Sequence, residues 1–319
     1  MPHRRSPADS LLPIHLRWSK IRLALREPFL EFWGVFIMVL FGNGSIAQAT
    51  LSKHESSAPG GDGYGSYFAV TWAWALGVML GIYVAGDSGA YLNPALTFTN
   101  CIFRKVPWRR FPSYFIAQLL GGFVASGVVY ANYVSAIDQY EGHGVRTVFG
   151  DTATASLFCT YPQSFLPRAS QFFSDFIPSS ALAFVVYALK DSTNNGASMG
   201  GGNFFPLALF FVILGVGISF GWETGYAINP ARDFGPRVMS YFLGYGDEVF
   251  SAYGYYFWIP MVSPFCGCAF GGALYDIFIY TGESPINTEW MGLKRILCLD
   301  VAIRHGHEHE QRQKEEGVV

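Results

Sequence analysis

Six stretches of this sequence are apolar and long enough to cross a lipid bilayer as helices, for which roughly 20 residues are needed. They lie at residues 29–50, 67–86, 111–133, 171–189, 204–222 and 255–280. The bilayer interior offers no partners for free backbone groups, so a chain crosses it only as helices or as a closed barrel. The length of these stretches predicts six transmembrane helices in an all-α membrane protein.

Two shorter apolar stretches, 93–103 and 229–243, are too brief to cross the bilayer, and each begins with Asn-Pro-Ala. Proline suits the first position of a helix, and an asparagine before it can act as the N-cap. A helix that begins at mid-membrane is tolerated only beside a water-filled cavity or another protein segment. We therefore expect two re-entrant half-helices.

The sequence around these two motifs is repeated. SGAYLNPA at 88–95 aligns with TGYAINPA at 224–231, and the helix upstream of each copy carries one acid, Glu31 or Asp175. With three spans in each half, the copies must enter the membrane in opposite orientations, as in many transport proteins. This predicts an inverted repeat whose two Asn-Pro-Ala motifs meet near the membrane midplane.

The repeat suggests a simple domain organisation. We predict one channel domain and two polar, disordered tails. The ranges are 1–27 for the first tail, 28–283 for the domain, about 28–133 and 170–280 for its two repeats, and 284–319 for the second tail. Most of the 21 Lys and Arg residues fall in the tails and in connections on the same side, so both termini are predicted to be cytoplasmic.

Composition excludes several other classes of protein. Hydrophobic residues make up 51% of the chain and charged residues only 14%, which suits a body embedded in lipid. A net charge of -2 offers no basic surface for nucleic acid. The five cysteines lack the spacing of a metal site, and no catalytic constellation falls in the predicted cavity. We expect neither an enzyme nor a cofactor or metal.

The paired motifs carry the predicted chemistry. Two helix N-termini that face each other concentrate positive partial charge on the pore axis. Side-chain amides can donate hydrogen bonds there to water or to a hydroxyl group, while a cation or a proton meets an electrostatic barrier. The motif residues are Asn93, Pro94, Ala95, Asn229, Pro230 and Ala231.

The segments SGAYLNPALT and GYAINPARDFGPR resemble the two signature loops of the aquaporin (major intrinsic protein) family, and the resemblance extends from about Glu31 to Tyr280. It implies six tilted helices and two half-helices, assembled as a homotetramer in which every protomer has its own pore. Within the family the chain is most similar to the aquaglyceroporin, or glycerol facilitator, branch. We expect a multi-pass protein of the plasma membrane.

The resemblance also implies a selectivity filter. In the family an arginine after the second Asn-Pro-Ala forms the narrowest constriction, and here it is Arg232. The other filter positions fall on Trp74, Gly217 and Tyr226. Glycine at 217 replaces the histidine of water-selective members and admits a wider solute. Considered alone, Trp74 and Tyr226 could instead be interfacial packing aromatics.

Glu31 and Asp175 are expected to accept hydrogen bonds from the re-entrant loops and to hold loop carbonyls toward the pore. The carbonyls concerned are those of Gly89, Ala90 and Tyr91. The alternative is an interhelical salt bridge for each acid. The chain departs from the family at Tyr91, where histidine is usual, and at Asp175, which is one methylene shorter than the usual glutamate.

Five further residues resemble the glycerol branch: Tyr133, Asp233, Arg237, Pro264 and Phe265. Asp233 and Arg237 are four residues apart, so they also fit an ordinary i,i+4 ion pair on the short helix. We therefore expect a passive channel for glycerol, similar small uncharged solutes and water. The alternatives are the same fold tuned to water, ammonia, urea or hydrogen peroxide, or an alternating-access carrier.

Overall fold

The protein is described by a computed structural model that covers residues 16–54, 63–198 and 204–288. Its helices are α1 (Arg17–Ala24), α2 (Arg26–Leu51), α3 (Tyr67–Ala85), α4 (Pro94–Phe103), α5 (Phe111–Glu141), α6 (Arg168–Lys190), α7 (Asn195–Ser198), α8 (Phe205–Thr224), α9 (Pro230–Ser240), α10 (Glu248–Tyr255) and α11 (Trp258–Phe278). Among the described residues, six helices are long and apolar enough to cross a membrane. The predicted all-α membrane fold is confirmed.

The six spans are α2, α3, α5, α6, α8 and α11. In the first repeat α2 packs against α3 and α5, and in the second α6 packs against α8 and α11. Contacts between α3 and α8 join the two repeats. Each repeat therefore contributes three spans in the same packing order.

The two half-helices, α4 and α9, connect the repeats. Helix α4 packs against α11, the last span of the second repeat, whereas α9 packs against α5, the last span of the first. Each half-helix begins with proline directly after the N-cap asparagine. Because each half-helix packs against a span of the other repeat, each repeat needs the other for the packing of its half-helix.

Glycine allows the backbone of α5 to lie directly against α9. A Cβ atom added at Gly122 would lie 2.4 Å from the carbonyl oxygen of Ala231. Real Cβ atoms do not approach a backbone oxygen so closely, so a larger residue at 122 would force the second half-helix away from α5.

We expect Gly122→Ala to lower the free energy of unfolding by about 1–3 kcal/mol, the usual effect of overpacking. Thermal denaturation of the purified protein in detergent measures this loss as a lower Tm. Gly127→Ala on the same helix is the matched control, because the added Cβ would meet only the flexible end of Met239. Equal Tm values for the two variants would contradict the close contact.

The described residues include the inner ends of both predicted tails. Residues 17–24, assigned to the first tail, form α1, because the segment is rich in good helix formers and its Trp18 ring packs 6.2 Å from the ring of Phe29. In the second tail, Ser284 is buried and its hydroxyl donates to Asp276. The remaining tail residues, 1–15 and 289–319, lie outside the described residues.

Two elements end at residues that the apolar pattern did not predict. The third span continues to Glu141 rather than ending near residue 133, because a helix can extend into water after its apolar stretch is complete. The second half-helix is α-helical only to Ser240, and a π-helical turn, Tyr241–Tyr245, follows it. Gly244 in that turn has φ 106°, which ends the helical path.

Candidate functional site

The two Asn-Pro-Ala motifs are joined by reciprocal hydrogen bonds. Asn93 Nδ2 donates to the carbonyl oxygen of Ile228 at 2.9 Å, and Asn229 Nδ2 donates to that of Leu92 at 2.7 Å. Each asparagine Oδ1 also accepts from the backbone N–H two residues later, at 2.9 Å, and so caps its own half-helix. Since a side-chain amide has two N–H groups, each asparagine has a second donor beyond its bond to the opposite loop, and Asn229 Nδ2 also lies 3.9 Å from the sulfur of Met38.

Glu31 is fully buried beneath the first loop. Its carboxylate accepts from the backbone N–H of Tyr91 at 3.0 Å and of Leu92 at 2.8 Å. The side chains of Ser88 and Gln118 donate to it at 2.5 and 2.8 Å. The structure places Glu31 against the loop rather than in an interhelical salt bridge.

Asp175 has the equivalent place beneath the second loop. Its Oδ1 accepts from the backbone N–H of Ala227 at 2.9 Å, and the N–H of Ile228 also donates to this carboxylate. The hydroxyl of Tyr256 lies 3.3 Å from Oδ2 and donates to it. The shorter acid therefore reaches its loop and also accepts from a tyrosine hydroxyl.

Both loops have the same unusual backbone. Ala90 and Leu92 in the first loop have φ of 50° and 52°, and Tyr226 and Ile228, the aligned residues of the second, have φ of 40° and 45°. In each loop two successive backbone N–H groups point to one side, Tyr91 and Leu92 toward Glu31 and Ala227 and Ile228 toward Asp175, and so form an anion-binding concavity. The carboxylates of Glu31 and Asp175 occupy these concavities. Such strained backbone typically occurs at functional sites.

A narrow cavity lies beside the two loops. The volume open to the centre of a water molecule is about 50 Å³, several times the roughly 10–15 Å³ that one water needs. Its lining includes Ala90 and Tyr91, both asparagines and three of the four predicted filter residues. The remaining wall is largely aliphatic: Val78, Ile82, Leu96, Leu182, Leu209 and Ile213.

Three of the predicted filter residues, Trp74, Tyr226 and Arg232, line this cavity together, at the position of the predicted constriction. The guanidinium carbon of Arg232 lies 4.2 Å from the Trp74 ring centroid. Trp74 Nε1, the Tyr226 hydroxyl and Arg232 Nη1 are buried and have no hydrogen-bond partner among the described residues. Because buried donors normally have partners, this constriction has unused hydrogen-bonding capacity.

Gly217 was predicted to line the selectivity filter, and the structure gives it a different place. A Cβ at this position would lie 3.1 Å from the Tyr226 hydroxyl and 3.0 Å from Thr71, and the glycine is not among the residues that line the cavity. The Gly217 carbonyl also accepts from the Tyr67 hydroxyl at 2.6 Å. The glycine leaves room for the Tyr226 ring, and Tyr226 lines the cavity.

The carboxylate of Asp233 and the guanidinium of Arg237 form a fully buried ion pair, with Nε and Oδ1 2.8 Å apart. Asp233 Oδ2 also accepts from the N–H and hydroxyl of Thr160 at 2.7 and 2.6 Å. Arg237 donates to the carbonyls of Thr160 and Val249 at 2.6 and 2.7 Å. The pair therefore links α9 to two outer segments, in addition to its i,i+4 role.

The other residues typical of the glycerol branch lie away from the constriction. Tyr133 packs in the outer hydrophobic cluster, beside a separate surface groove. Pro264 is buried within α11, and the ring of Phe265 lies 5.4 Å from that of Phe98 on α4. These residues contribute to the packing of the helices, and none of the three is among the residues that line the cavity.

Sequence reasoning missed several residues that complete the site. Ser88 and Gln118 could have been inferred from their places beside the aligned repeats, although their bonds to Glu31 could not. Tyr256 lies in a connection without any repeat or motif, so no sequence signal marked it. Among the described residues, no group of three or more His, Cys, Asp or Glu side chains could hold a metal ion.

The model of the family described as "Major intrinsic protein" matches residues 17–275. Aquaglyceroporin-9 of Botryotinia fuckeliana is 61% identical over 283 residues, covering 88% of this chain and 60% of that protein. Probable aquaglyceroporin-2 of Gibberella zeae is 57% identical, covering 89% and 82% of the respective chains. The chain thus spans less than two thirds of the length of the first relative but most of the second.

A solved structure is also similar. The X-ray structure of the aquaglyceroporin from Plasmodium falciparum has a TM-score of 0.68 and 29% sequence identity. The match covers 80% of this chain and 96% of that one.

Proposed function

This chain belongs to the major intrinsic protein family, and we propose that it is a passive membrane channel for glycerol, similar small uncharged solutes and water. The family consists of channels, which assigns the chain to transport rather than to enzymes. Relatives at 57–61% identity are named aquaglyceroporins, and this name supports the choice of a polyol within the family. The protein is a multi-pass integral membrane protein with six spans.

The unpartnered donors of Trp74, Tyr226 and Arg232 are the observation that carries the proposal. A polyol presents hydroxyl groups on one side and C–H groups along its backbone. At the constriction the donors can bind the hydroxyls, and the two rings and the aliphatic wall can contact the C–H groups. The forked guanidinium of Arg232 suits two neighbouring oxygens at once.

The paired half-helices supply the proposed barrier to ions. The N-termini of α4 and α9 lie together, since Asn93 and Asn229 each bond to the opposite loop. Their partial positive charges add on the pore axis and repel cations. A neutral solute passes because the asparagine donors and loop carbonyls replace its bonds to water.

Assembly and orientation complete the proposal. We place both termini in the cytoplasm, because basic residues are concentrated on their side of the spans. Large exposed apolar side chains such as Trp33 and Phe211, 51% and 58% exposed, suit contact with lipid or neighbouring protomers. The proposed assembly is a homotetramer in the plasma membrane.

The contacts of the two buried acids distinguish a channel from a carrier. An alternating-access carrier driven by ions needs an intramembrane group that is free to bind the ion. The carboxylates of Glu31 and Asp175 already accept hydrogen bonds from the two loops. A pore of the same fold tuned to water, ammonia, urea or peroxide is the remaining alternative.

Stopped-flow light scattering on proteoliposomes tests the proposed function. Under a glycerol gradient, vesicles should shrink and then reswell faster than protein-free vesicles, whereas sorbitol should cause shrinkage without rapid reswelling. Urea in the same assay measures how far small neutral solutes pass. Water flux without glycerol flux would select the water-tuned alternative, and saturable, ion-dependent glycerol flux would select a carrier.

We expect Gly217→His to lower the glycerol-to-water permeability ratio, because a side chain at 217 must displace the Tyr226 ring toward the pore. The ratio is measured on the same vesicles, so differences in protein content cancel. Gly215→Ala on the same helix is the control, since its added Cβ meets nothing within 4 Å. An unchanged ratio in Gly217→His would remove residue 217 from the filter.

A further inference from the structure

Helix α1 exposes three large apolar side chains on one face. Trp18 is 59% exposed, Ile21 46%, and Leu25, which follows the last residue of the helix, 44%. Their spacing of three and four residues aligns them along one side. Ser19, on another side, is buried against the protein. The apolar face therefore has no cover within the described part of the chain.

Basic side chains lie around this face, with Arg17 and Arg22 at its borders and Lys20 further round the helix. Arg17, Lys20 and Arg22 are exposed, and the helix, RWSKIRLA, contains no acid. The next basic residue along the chain, Arg26, does have an acidic partner, because it forms an ion pair with Asp87. The three charges of α1 thus lie beside an apolar face, in a helix that has no acid to pair with them.

The apolar face of α1 continues the surface of the first span. The Trp18 ring packs 6.2 Å from Phe29 at the start of α2, and Trp33, one turn further, is 51% exposed. Leu25, between the two helices, has φ -102° and ψ 15°, which interrupts the helix. Helix α1 is therefore not a straight extension of α2 into water.

We propose that α1 is an interfacial helix that binds anionic lipid at the cytoplasmic surface of the membrane. Trp18, Ile21 and Leu25 enter the boundary between headgroups and acyl chains, and Arg17, Lys20 and Arg22 contact the negative headgroups. An apolar face bordered by Lys and Arg is the pattern of such helices, and the cytoplasmic leaflet carries the anionic lipid. The proposal rests on the proposed orientation of the channel.

The depth of Trp18 tests the apolar contact. Full-length protein is reconstituted in vesicles of phosphatidylcholine with a minor fraction of phosphatidylserine, and its fluorescence is compared with that of Trp18→Phe to isolate one of the eight tryptophans. Lipid brominated near the headgroup should quench the Trp18 component, and aqueous iodide should not. Quenching by iodide but not by brominated lipid would overturn the proposal.

The charges are tested by the preference of the reconstituted protein for spin-labelled phosphatidylserine over phosphatidylcholine. Each neutralised basic residue should reduce binding at this helix about fivefold, so Arg17→Gln/Lys20→Gln/Arg22→Gln should lose most of that binding. Arg17→Lys/Arg22→Lys keeps the charge and should retain it. An equal preference in the wild type and the triple glutamine variant would overturn the proposal.

Glycerol flux of the same vesicles separates this inference from the proposed function. None of the α1 residues lines the cavity, so the triple variant should conduct glycerol at the wild-type rate in phosphatidylcholine alone. Loss of lipid preference with normal flux supports the interfacial helix. Absence of glycerol flux in the wild type contradicts the proposed function and leaves the lipid measurement valid.

Discussion

Replacing Asn229 with leucine is expected to reduce both glycerol and water flux to the background of protein-free vesicles. The variant loses the hydrogen bond from Nδ2 to the Leu92 carbonyl and leaves that buried carbonyl unpaired, which costs about 1–3 kcal/mol. It also loses the cap of α9, worth about 1 kcal/mol. A bulky apolar side chain then stands where the loops meet. Stopped-flow scattering on vesicles with matched protein content measures the effect.

The inverted repeat supplies a second variant and a control. Asn93→Leu should have the same effect as Asn229→Leu, because Asn93 makes the equivalent bonds. Asn287→Leu should leave flux unchanged, since Asn287 is exposed and bonds only to carbonyls of its own segment. Wild-type flux in correctly inserted Asn229→Leu would contradict the two-motif pore.

Removing one partner of the buried ion pair is expected to have the largest effect on stability. Arg237→Met leaves the carboxylate of Asp233 fully buried without its cation. Breaking a buried pair in this way typically costs about 3–5 kcal/mol. The bonds from Arg237 to Thr160 and Val249 are also lost, so the outer segments should become sensitive to protease. Thermal denaturation in detergent and limited proteolysis measure the two effects.

Two further variants make this prediction specific. Asp233→Leu/Arg237→Met removes both charges and should recover part of the lost stability, because no unpaired charge remains. Lys105→Met removes one partner of an exposed pair with Glu283 and should lower the unfolding temperature far less, because solvent screens exposed pairs. If Arg237→Met unfolds at the same temperature as Lys105→Met, the pair does not hold the outer segments.

The paired motifs could be predicted because each part of the motif has a local physical meaning. Asparagine caps, proline begins a helix, and repetition in opposite orientation brings the two copies together. The contact of Glu31 with the first loop also followed, since a buried acid in a membrane needs donors. Sequence could predict these features because they depend on residues at fixed offsets from the motif.

Features that depend on tertiary contacts could not be predicted in this way. The hydroxyl of Tyr256 reaches Asp175 from 81 residues away. The sequence predicted that Gly217 widens the pore directly. In the structure the Tyr226 ring lies close to the space that a side chain at 217 would fill. Helix α1 packs its Trp18 ring against Phe29, a contact that the charge content of this segment does not indicate.

The reciprocal bonds of the two asparagines have a consequence for synthesis of the chain. The carbonyl that accepts from Asn93 belongs to Ile228, 135 residues later in the chain. Helix α4 packs against α11, which is the last span to be synthesised. A ribosome that has completed the first three spans has therefore produced a half-helix whose N-terminus and apolar face both lack partners. Lipid cannot form hydrogen bonds with free backbone N–H and C=O groups. Until its partners are made, this half-helix must therefore remain in contact with water or with other protein. The translocation machinery has to protect that segment until the second half of the protein arrives.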